Sequence, residues 1–301
     1  MSFCSELKND LCIEKQSECC KIAECYGLML FGHTFSYKNI SIITEIEQIS
    51  KRYIKYLKTN FAIIPAVKKS GRVSTIYNIS VSSPSECSSV MSAFGYETGD
   101  FLSINHDVFK RECCFGSFIR GAFLACGQMT DPFKNYHAEF VIRDFTIALE
   151  FFSLLQSRGL SPKRSMRGNT TVIYFNKSET IEELLTLMGA NKKVLEFIDV
   201  QVAKTIRNRE NRKNNLEMGN IGKQVDASVN QRLAIQYLIE KGKLETLSDE
   251  LYSVATLRIE NPDASLSELC IFFPDSITRS GLNHMLKRIM DIAEELKNGE
   301  K

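Results

Sequence analysis

Two stretches of this 301-residue chain align on one another without a gap. The first reads Glu18-Cys19-Cys20 and continues to Cys25-Tyr26-Gly27-Leu28-Met29-Leu30-Phe31-Gly32. The second reads Glu112-Cys113-Cys114 and continues to Ile119-Arg120-Gly121-Ala122-Phe123-Leu124-Ala125-Cys126-Gly127. Gly27 falls on Gly121. Both stretches are apolar on nearly every side, which predicts helices buried all round. A mid-helix glycine costs about 1 kcal/mol against alanine, so glycines at equivalent places predict close backbone contact. The simplest geometry is two copies of one unit, packed helix against helix about a pseudo-twofold.

The segments that follow each helix repeat in the same order. In the first unit, Asn39 to Thr44 reads as a strand, and Glu45 to Lys58 carries a helical apolar period at Ile46, Ile49, Tyr53, Ile54 and Leu57. Phe61 to Val67 and Arg72 to Ser80 read as strands joined through Lys68-Lys69-Ser70-Gly71 as a hairpin turn. Ser85 to Phe94 reads as a helix. In the second unit, Tyr136 to Ile142 is a strand, and Asp144 is placed to cap a helix running to Arg158. Ser161 to Met166 and Thr170 to Phe175 form a hairpin around Arg167-Gly168-Asn169. Thr180 to Gly189 is a helix, with Gly189 as its C-cap. Residues 1 to 17 supply a short helix and a loop.

Ile119 to Gly127 resembles the nine-residue helix of LAGLIDADG homing endonucleases, and Cys25 to His33 resembles it more loosely. In that family the eighth motif position is an acid that binds the catalytic divalent cation. Here those positions hold Gly32 and Cys126. Neither suits Mg²⁺, which takes hard oxygen ligands. The resemblance implies a saddle of two αββαββα halves whose sheets straddle duplex DNA, with the cutting centre lost. Asp131 and Glu139 are the acids nearest the second motif, but Asp131 is expected in a loop. Two-metal nucleases need carboxylates converging where the central helices meet, so the expected catalytic residues are none.

Residues 226 to 297 read as all helical. Asp226 to Lys241 is one helix ended by Gly242, and Ser248 to Glu260 is the next, closed by Asn261-Pro262. Ser265-Leu266-Ser267-Glu268 is a capping box for a short helix to about Phe272. A turn at Phe273-Pro274-Asp275 and a helix from Arg279 to Leu296 complete a helix-turn-helix. On the last helix, Leu282, Leu286 and Ile289 face inward, which leaves Arg279, Ser280, Asn283, His284, Lys287 and Arg288 as candidate DNA contacts. Ser276 to Met290 contains no carboxylate. A helix of this kind fits the major groove, where Arg and Asn read guanine and adenine bidentately. A solvated face on an ordinary core helix is the bland alternative.

Taken end to end, the chain resembles the WhiA family, which joins a degenerate LAGLIDADG domain to a helix-turn-helix. The resemblance is specific over 112 to 132 (including Asp131-Pro132), 204 to 227 and 264 to 296. It implies an α+β fold with LAGLIDADG-like repeats at 1–100 and 101–205, a linker at 206–225, and an all-α DNA-binding domain at 226–301. The linker carries Arg207 and Arg212 as further phosphate contacts, and Gly219-Asn220-Ile221-Gly222 is expected to make it flexible. The family's hairpins face DNA, which nominates Lys68, Lys69 and Arg72 in the first unit and Lys163, Arg164 and Arg167 in the second. Between Gln48 and Ser85 the chain has no acid at all. The resemblance further implies a transcription regulator tied to cell division and chromosome segregation, or to sporulation in some lineages.

Net charge of +2 does not by itself advertise a polyanion partner. The polar, acidic start does not read as a signal peptide, and no apolar run is long enough to span a bilayer. Ten cysteines without such a signal point to reduced thiols. Most are read as small buried hydrophobes, with a metal site among Cys12, Cys19, Cys20 and Cys25 as the minor reading. No metal or other cofactor is expected. His33, His106, His137 and His284 are scattered and form no legible catalytic set, and no Walker-type phosphate loop is present. The expected partners are double-stranded DNA and, beyond it, division or transcription proteins. The expected place is the cytoplasm, on the nucleoid. The rival readings are a LAGLIDADG-type nuclease with residual activity and a protein-interaction scaffold with weak, non-specific DNA binding.

Overall fold

A computed structural model describes residues 2–13, 16–99, 101–109, 111–273 and 277–299. The chain divides into two compact units, 1–204 and 205–301.

The first unit is built on α2 (Glu18–Leu30) and α5 (Glu112–Cys126), which pack against one another. Their crossing is as close as the two glycines predict. A Cβ on Gly27 would lie 2.3 Å from the Phe118 carbonyl oxygen, and one on Gly121 would lie 2.2 Å from that of Glu24. Only a residue without a side chain fits where two backbones meet at that range. Tyr26, Leu28, Phe118, Ile119, Ala122 and Phe123 are buried around the crossing.

Each central helix leads into a four-stranded antiparallel sheet. The first contains β1 (Thr34–Phe35), β2 (Ile40–Thr44), β3 (Ala66–Ser70) and β4 (Ile76–Val81), in spatial order β1-β2-β4-β3. The second contains β5 (Gly127–Met129), β6 (Ala138–Ile142), β7 (Lys163–Arg167) and β8 (Thr170–Phe175), in the equivalent order β5-β6-β8-β7. Between strands, α3 (Glu47–Phe61) and α6 (Phe145–Ser157) pack their apolar stripes on the same core. The Asp144 side chain accepts from Ile147 N–H at 2.9 Å, the expected cap. The remaining helices of the unit are α1 (Phe3–Ile13), α4 (Pro84–Ala93) and α7 (Ser178–Leu187). The short strands β1 and β5, of two and three residues, carry too little pattern to be read from the sequence.

One hairpin departs from expectation. Lys68, Lys69 and Ser70 are not a turn but the body of β3, paired with Asn78, Tyr77 and Ile76. The connection is 71–75 instead, so Arg72 lies in it rather than in a strand. Lysine is a usual guest of edge strands, where its charge discourages further pairing, and β3 is an edge. The second hairpin is tighter than expected: Arg167 belongs to β7 rather than to the turn and pairs with Thr170, and Gly168 takes φ +58° at the first turn position.

Residues 191–240 form one helical element, α8 (Asn191–Glu240), of which 191–204 belongs to the first unit. The stretch 206–225, expected to be a flexible linker, is therefore helical. Its five Arg or Lys, two Glu, Leu216 and Met218 are good helix formers, and they carry the helix through five asparagines of weaker propensity. Lys213 and Glu217 add an i,i+4 pair at 4.0 Å. Gly219 and Gly222 are tolerated within the helix.

The second unit is all helical. After α8 ends, Gly242 turns the chain at φ +64°. Then come α9 (Asp249–Glu260), α10 (Leu266–Phe272) and α11 (Arg279–Gly299) around a small core of Ile235, Leu238, Val254, Leu269, Leu282, Leu286 and Ile289. The capping box on α10 is formed in both directions, with Glu268 N–H on Ser265 Oγ at 3.2 Å and Ser265 N–H on Glu268 Oε2 at 2.7 Å. Buried Arg258 donates to the Ala264 carbonyl at 2.7 Å, which ties down the connection between α9 and α10. The expected turn at Phe273-Pro274-Asp275 lies partly outside the described residues.

Candidate nucleic-acid interface

Helix α11 starts cleanly because Thr278 caps it. Its Oγ1 accepts from Gly281 N–H at 3.1 Å and its carbonyl from Leu282 N–H at 2.9 Å. Leu282, Leu286, Ile289 and Ala293 make the buried stripe. All six residues nominated on this helix, Arg279, Ser280, Asn283, His284, Lys287 and Arg288, are exposed. At about 100° per residue, Ser280, His284, Lys287 and Arg288 point most directly away from the core. Asn283 lies at their side. The result is a carboxylate-free polar face on the second helix of a helix-turn-helix, the element that enters the major groove in such motifs.

In the first unit, both basic strands sit at the matching edge of their sheets. Every residue of β3 and β7 is exposed. Residues directly opposite in an antiparallel pair share a face, and this sorts the cations. Tyr77, Ile79 and Val81 point into the core, so Lys69, opposite Tyr77, lies on the core-side face. Its Nζ stands 5.4 Å from the Tyr77 ring centroid. Arg164 is opposite core residue Ile173 and lies 5.7 Å from the Phe152 ring. Lys68, opposite Asn78, and Lys163, opposite Tyr174, lie on the other, open face of their sheets. Arg167 shares that face, but its guanidinium already meets Glu139 at 3.1 and 3.0 Å. His137 Nε2 stands 3.0 Å from the same carboxylate. Burial pushes the Glu139 carboxyl up, but Arg167 and then His137 pull harder, and it ends below its ordinary value. Arg72, Arg207 and Arg212 are exposed, the last two on α8.

The two degenerate motif positions border an open cavity of about 830 Å³. Gly32 is not merely short of a carboxylate. A Cβ there would stand 2.8 Å from the Ser41 carbonyl oxygen, so β2 leaves no room for any side chain. At the other position, burial pushes the Cys126 thiol up to about 12, which keeps it neutral at pH 7. Half-buried Lys8 donates to the Leu124 carbonyl at 3.3 Å, placing an amine at the C-terminal end of α5. Such a position satisfies a helix-end carbonyl. Asp131 is occupied by its own turn, accepting from Phe133 N–H at 2.9 Å.

Two clusters escaped the sequence reading. Glu24 on α2 is fully buried and bridges the repeats. It accepts from Arg120 Nε at 2.6 Å, from Tyr56 OH at 2.8 Å, from Arg52 through both Nε and Nη2, and from Gln16. Charged residues inside an apolar helix were the available signal. The second cluster concerns the thiols. Cys12 and Cys25 do not join Cys19 and Cys20 as the minor metal reading supposed. Cys113 and Cys114 of the other repeat do, and the four Sγ atoms lie within 4.8 Å of one another.

Known proteins agree with this architecture. Residues 115–207 match the WhiA LAGLIDADG-like domain and residues 211–293 the WhiA C-terminal HTH domain. A protein of Carboxydothermus hydrogenoformans named "Probable cell division protein WhiA" is 34% identical over 99% of both chains. One of the same name from Clostridium botulinum is 35% identical over 99% of this chain and 100% of its own. The crystal structure of a full-length WhiA from Thermatoga maritima shares the fold, with TM-score 0.57 and 24% identity over 98% of this chain and 99% of that one. The chain belongs to the WhiA family, a LAGLIDADG-like domain followed by a DNA-binding helix-turn-helix domain.

Proposed function

We propose that this protein is a sequence-specific, non-cutting DNA-binding regulator of cell division and chromosome segregation, acting on the nucleoid in the cytoplasm. The observation that carries the reading is the exposed face of α11, with Arg279, Asn283, Lys287 and Arg288 and no acid between them. In the major groove, Asn283 and Arg288 supply base readout, since their planar groups make paired hydrogen bonds to adenine and guanine edges. Lys68 and Lys163, on the open faces of the two sheets, add phosphate contacts that carry no sequence information. The names of the relatives support the cell-division role. Among the described residues, no helix is long and apolar enough to cross a membrane.

The reading against cleavage rests on Gly32 and Cys126. The first has no room for a ligand, and the second is a neutral thiol rather than the oxygen donor that Mg²⁺ takes. Fluorescence anisotropy on fragments selected from the genome tests readout. Asn283→Ala with Arg288→Ala is expected to cost about 1–3 kcal/mol per base contact on preferred sites and to leave random DNA nearly unchanged. Unchanged discrimination refutes the assignment. Incubation of plasmid with protein and Mg²⁺ tests the rest, and metal-dependent nicking would overturn the non-cutting reading.

A further inference from the structure

The thiol cluster lies at the opposite end of the central helices from the degenerate nuclease positions. Cys19 and Cys20 are the second and third residues of α2, and Cys113 and Cys114 hold the same places on α5. Gly32 is about 20 Å further along, at about 1.5 Å per helical residue. We propose that Cys19, Cys20, Cys113 and Cys114 bind one Zn²⁺ ion as a tetrahedral four-thiolate site that joins the two repeats.

Geometry is the first argument. All four Sγ atoms lie within 4.8 Å of one another. A tetrahedral zinc with Zn–S near 2.3 Å spaces its sulfurs about 3.8 Å apart, so the set needs to tighten by no more than about 1 Å. Cys113 and Cys114 Sγ, at 3.9 Å, are already at that spacing. An iron–sulfur cluster inserted between the thiols would have to push them apart, whereas a single ion draws them in. Soft thiolates select zinc over the hard cations of the nuclease family.

Placement is the second argument. All four cysteines sit in the first turn of a helix, where the macrodipole complements the negative charge of a metal-bound thiolate. Neither adjacent pair could surround an ion alone. The pseudo-twofold brings two pairs together and completes the set. Arg111 Nη1 stands 3.9 Å from Cys19 Sγ, and Ser17 Oγ stands 3.3 Å from it. These groups offset the negative charge of a four-thiolate complex and orient one ligand. The Cys20 thiol donates to the Cys113 carbonyl at 3.3 Å. Coordination replaces that hydrogen bond, and the protons of the four thiols leave to solvent as Zn–S bonds form. Exposed Cys113 provides the entry path.

Metal analysis of the full-length protein, purified under reducing conditions and supplied with Zn²⁺, tests the site. The expected result is one zinc per chain, lost in Cys113→Ser and Cys20→Ser and retained in Cys270→Ser, whose thiol lies in the other unit. Co²⁺ loading of the wild type should give sulfur-to-cobalt charge transfer and tetrahedral d–d bands, with affinity falling more than about 100-fold in either variant. Cys113 is exposed, so its serine variant is expected to fold, and circular dichroism checks this. Wild type that binds no metal at saturating Zn²⁺ overturns the proposal. So does zinc that persists in both variants, or mass spectrometry showing the pairs joined as disulfides.

Discussion

Replacing Gly121 by alanine adds one methyl where the helices cross, and the structure sets its cost. The new Cβ would stand 2.2 Å from the Glu24 carbonyl oxygen and 2.8 Å from Leu28 N. Both obstacles are backbone, so no side chain can rotate away. The helices must part by about 1 Å, and the packing of Tyr26, Phe118 and Phe123 loosens with them. Overpacking of this kind costs about 1–3 kcal/mol, and alanine's better helix propensity returns up to about 1 kcal/mol. A net loss of about 1–2 kcal/mol corresponds to about 2–8 °C in a unit of this size. Gly27→Ala should behave alike, its Cβ lying 2.3 Å from the Phe118 carbonyl oxygen. The double variant should cost less than the sum, because the first methyl already opens the gap. Gly219→Ala is the control. It too is helical, but a Cβ there meets nothing within 4 Å, so the same chemical change should stabilise by up to about 1 kcal/mol. Differential scanning calorimetry of the full chain measures both. A Gly121→Ala protein as stable as wild type, or stabilised like Gly219→Ala, refutes the close-crossing argument.

Other substitutions probe the charged clusters and the sheet faces. Glu24→Gln leaves buried Arg120 and half-buried Arg52 unneutralised and should cost about 3–5 kcal/mol, read by urea unfolding; a cost below about 1 kcal/mol would mean that the bridge between repeats is incidental. Glu139 is held below its ordinary value near 4.5, so its contribution is complete above that pH and is lost as pH falls through the lower folded value. Glu139→Gln should therefore lower stability at neutral pH and flatten the acid limb of the stability–pH curve. An unchanged acid limb would remove Glu139 from the account. Lys68→Ala with Lys163→Ala should reduce the slope of log Kd against log salt by about 0.9 per lost phosphate contact. Lys69→Ala with Arg164→Ala, on the core-side faces, should change it less, and the reverse order would place DNA on the wrong side of the sheets.

The central crossing was legible because glycine has so few reasons to sit inside an apolar helix. Gly27 and Gly121 carry both the duplication and its closeness in the sequence alone. The capping residues Asp144 and Ser265 were legible for a similar reason, since each acts within three residues of itself. The interior ion pairs were not. Glu24 and Arg120 lie far apart in sequence, and only the folded pseudo-twofold makes them neighbours. The thiol cluster has no ligand spacing within one segment, and its only trace in the sequence is the alignment of Glu18-Cys19-Cys20 on Glu112-Cys113-Cys114. In the first hairpin, Lys68 and Lys69 looked like turn residues because edge strands are allowed to be polar. In the 206–225 stretch Gly219 and Gly222 signal flexibility, while the Arg, Lys and Glu around them favour helix, and the helix formers win. For DNA contacts, composition nominated the cations, but only strand pairing separated Lys68 and Lys163 from Lys69 and Arg164.

Sequence readout by α11 is the central property of this protein's proposed role. Genome-wide occupancy mapping in cells carrying the wild-type chain or Asn283→Ala with Arg288→Ala tests this directly. The prediction is a limited set of sharp peaks in the wild type that collapse to diffuse background in the variant, with protein levels unchanged. Broad, featureless occupancy in both, or identical peaks in both, would contradict it.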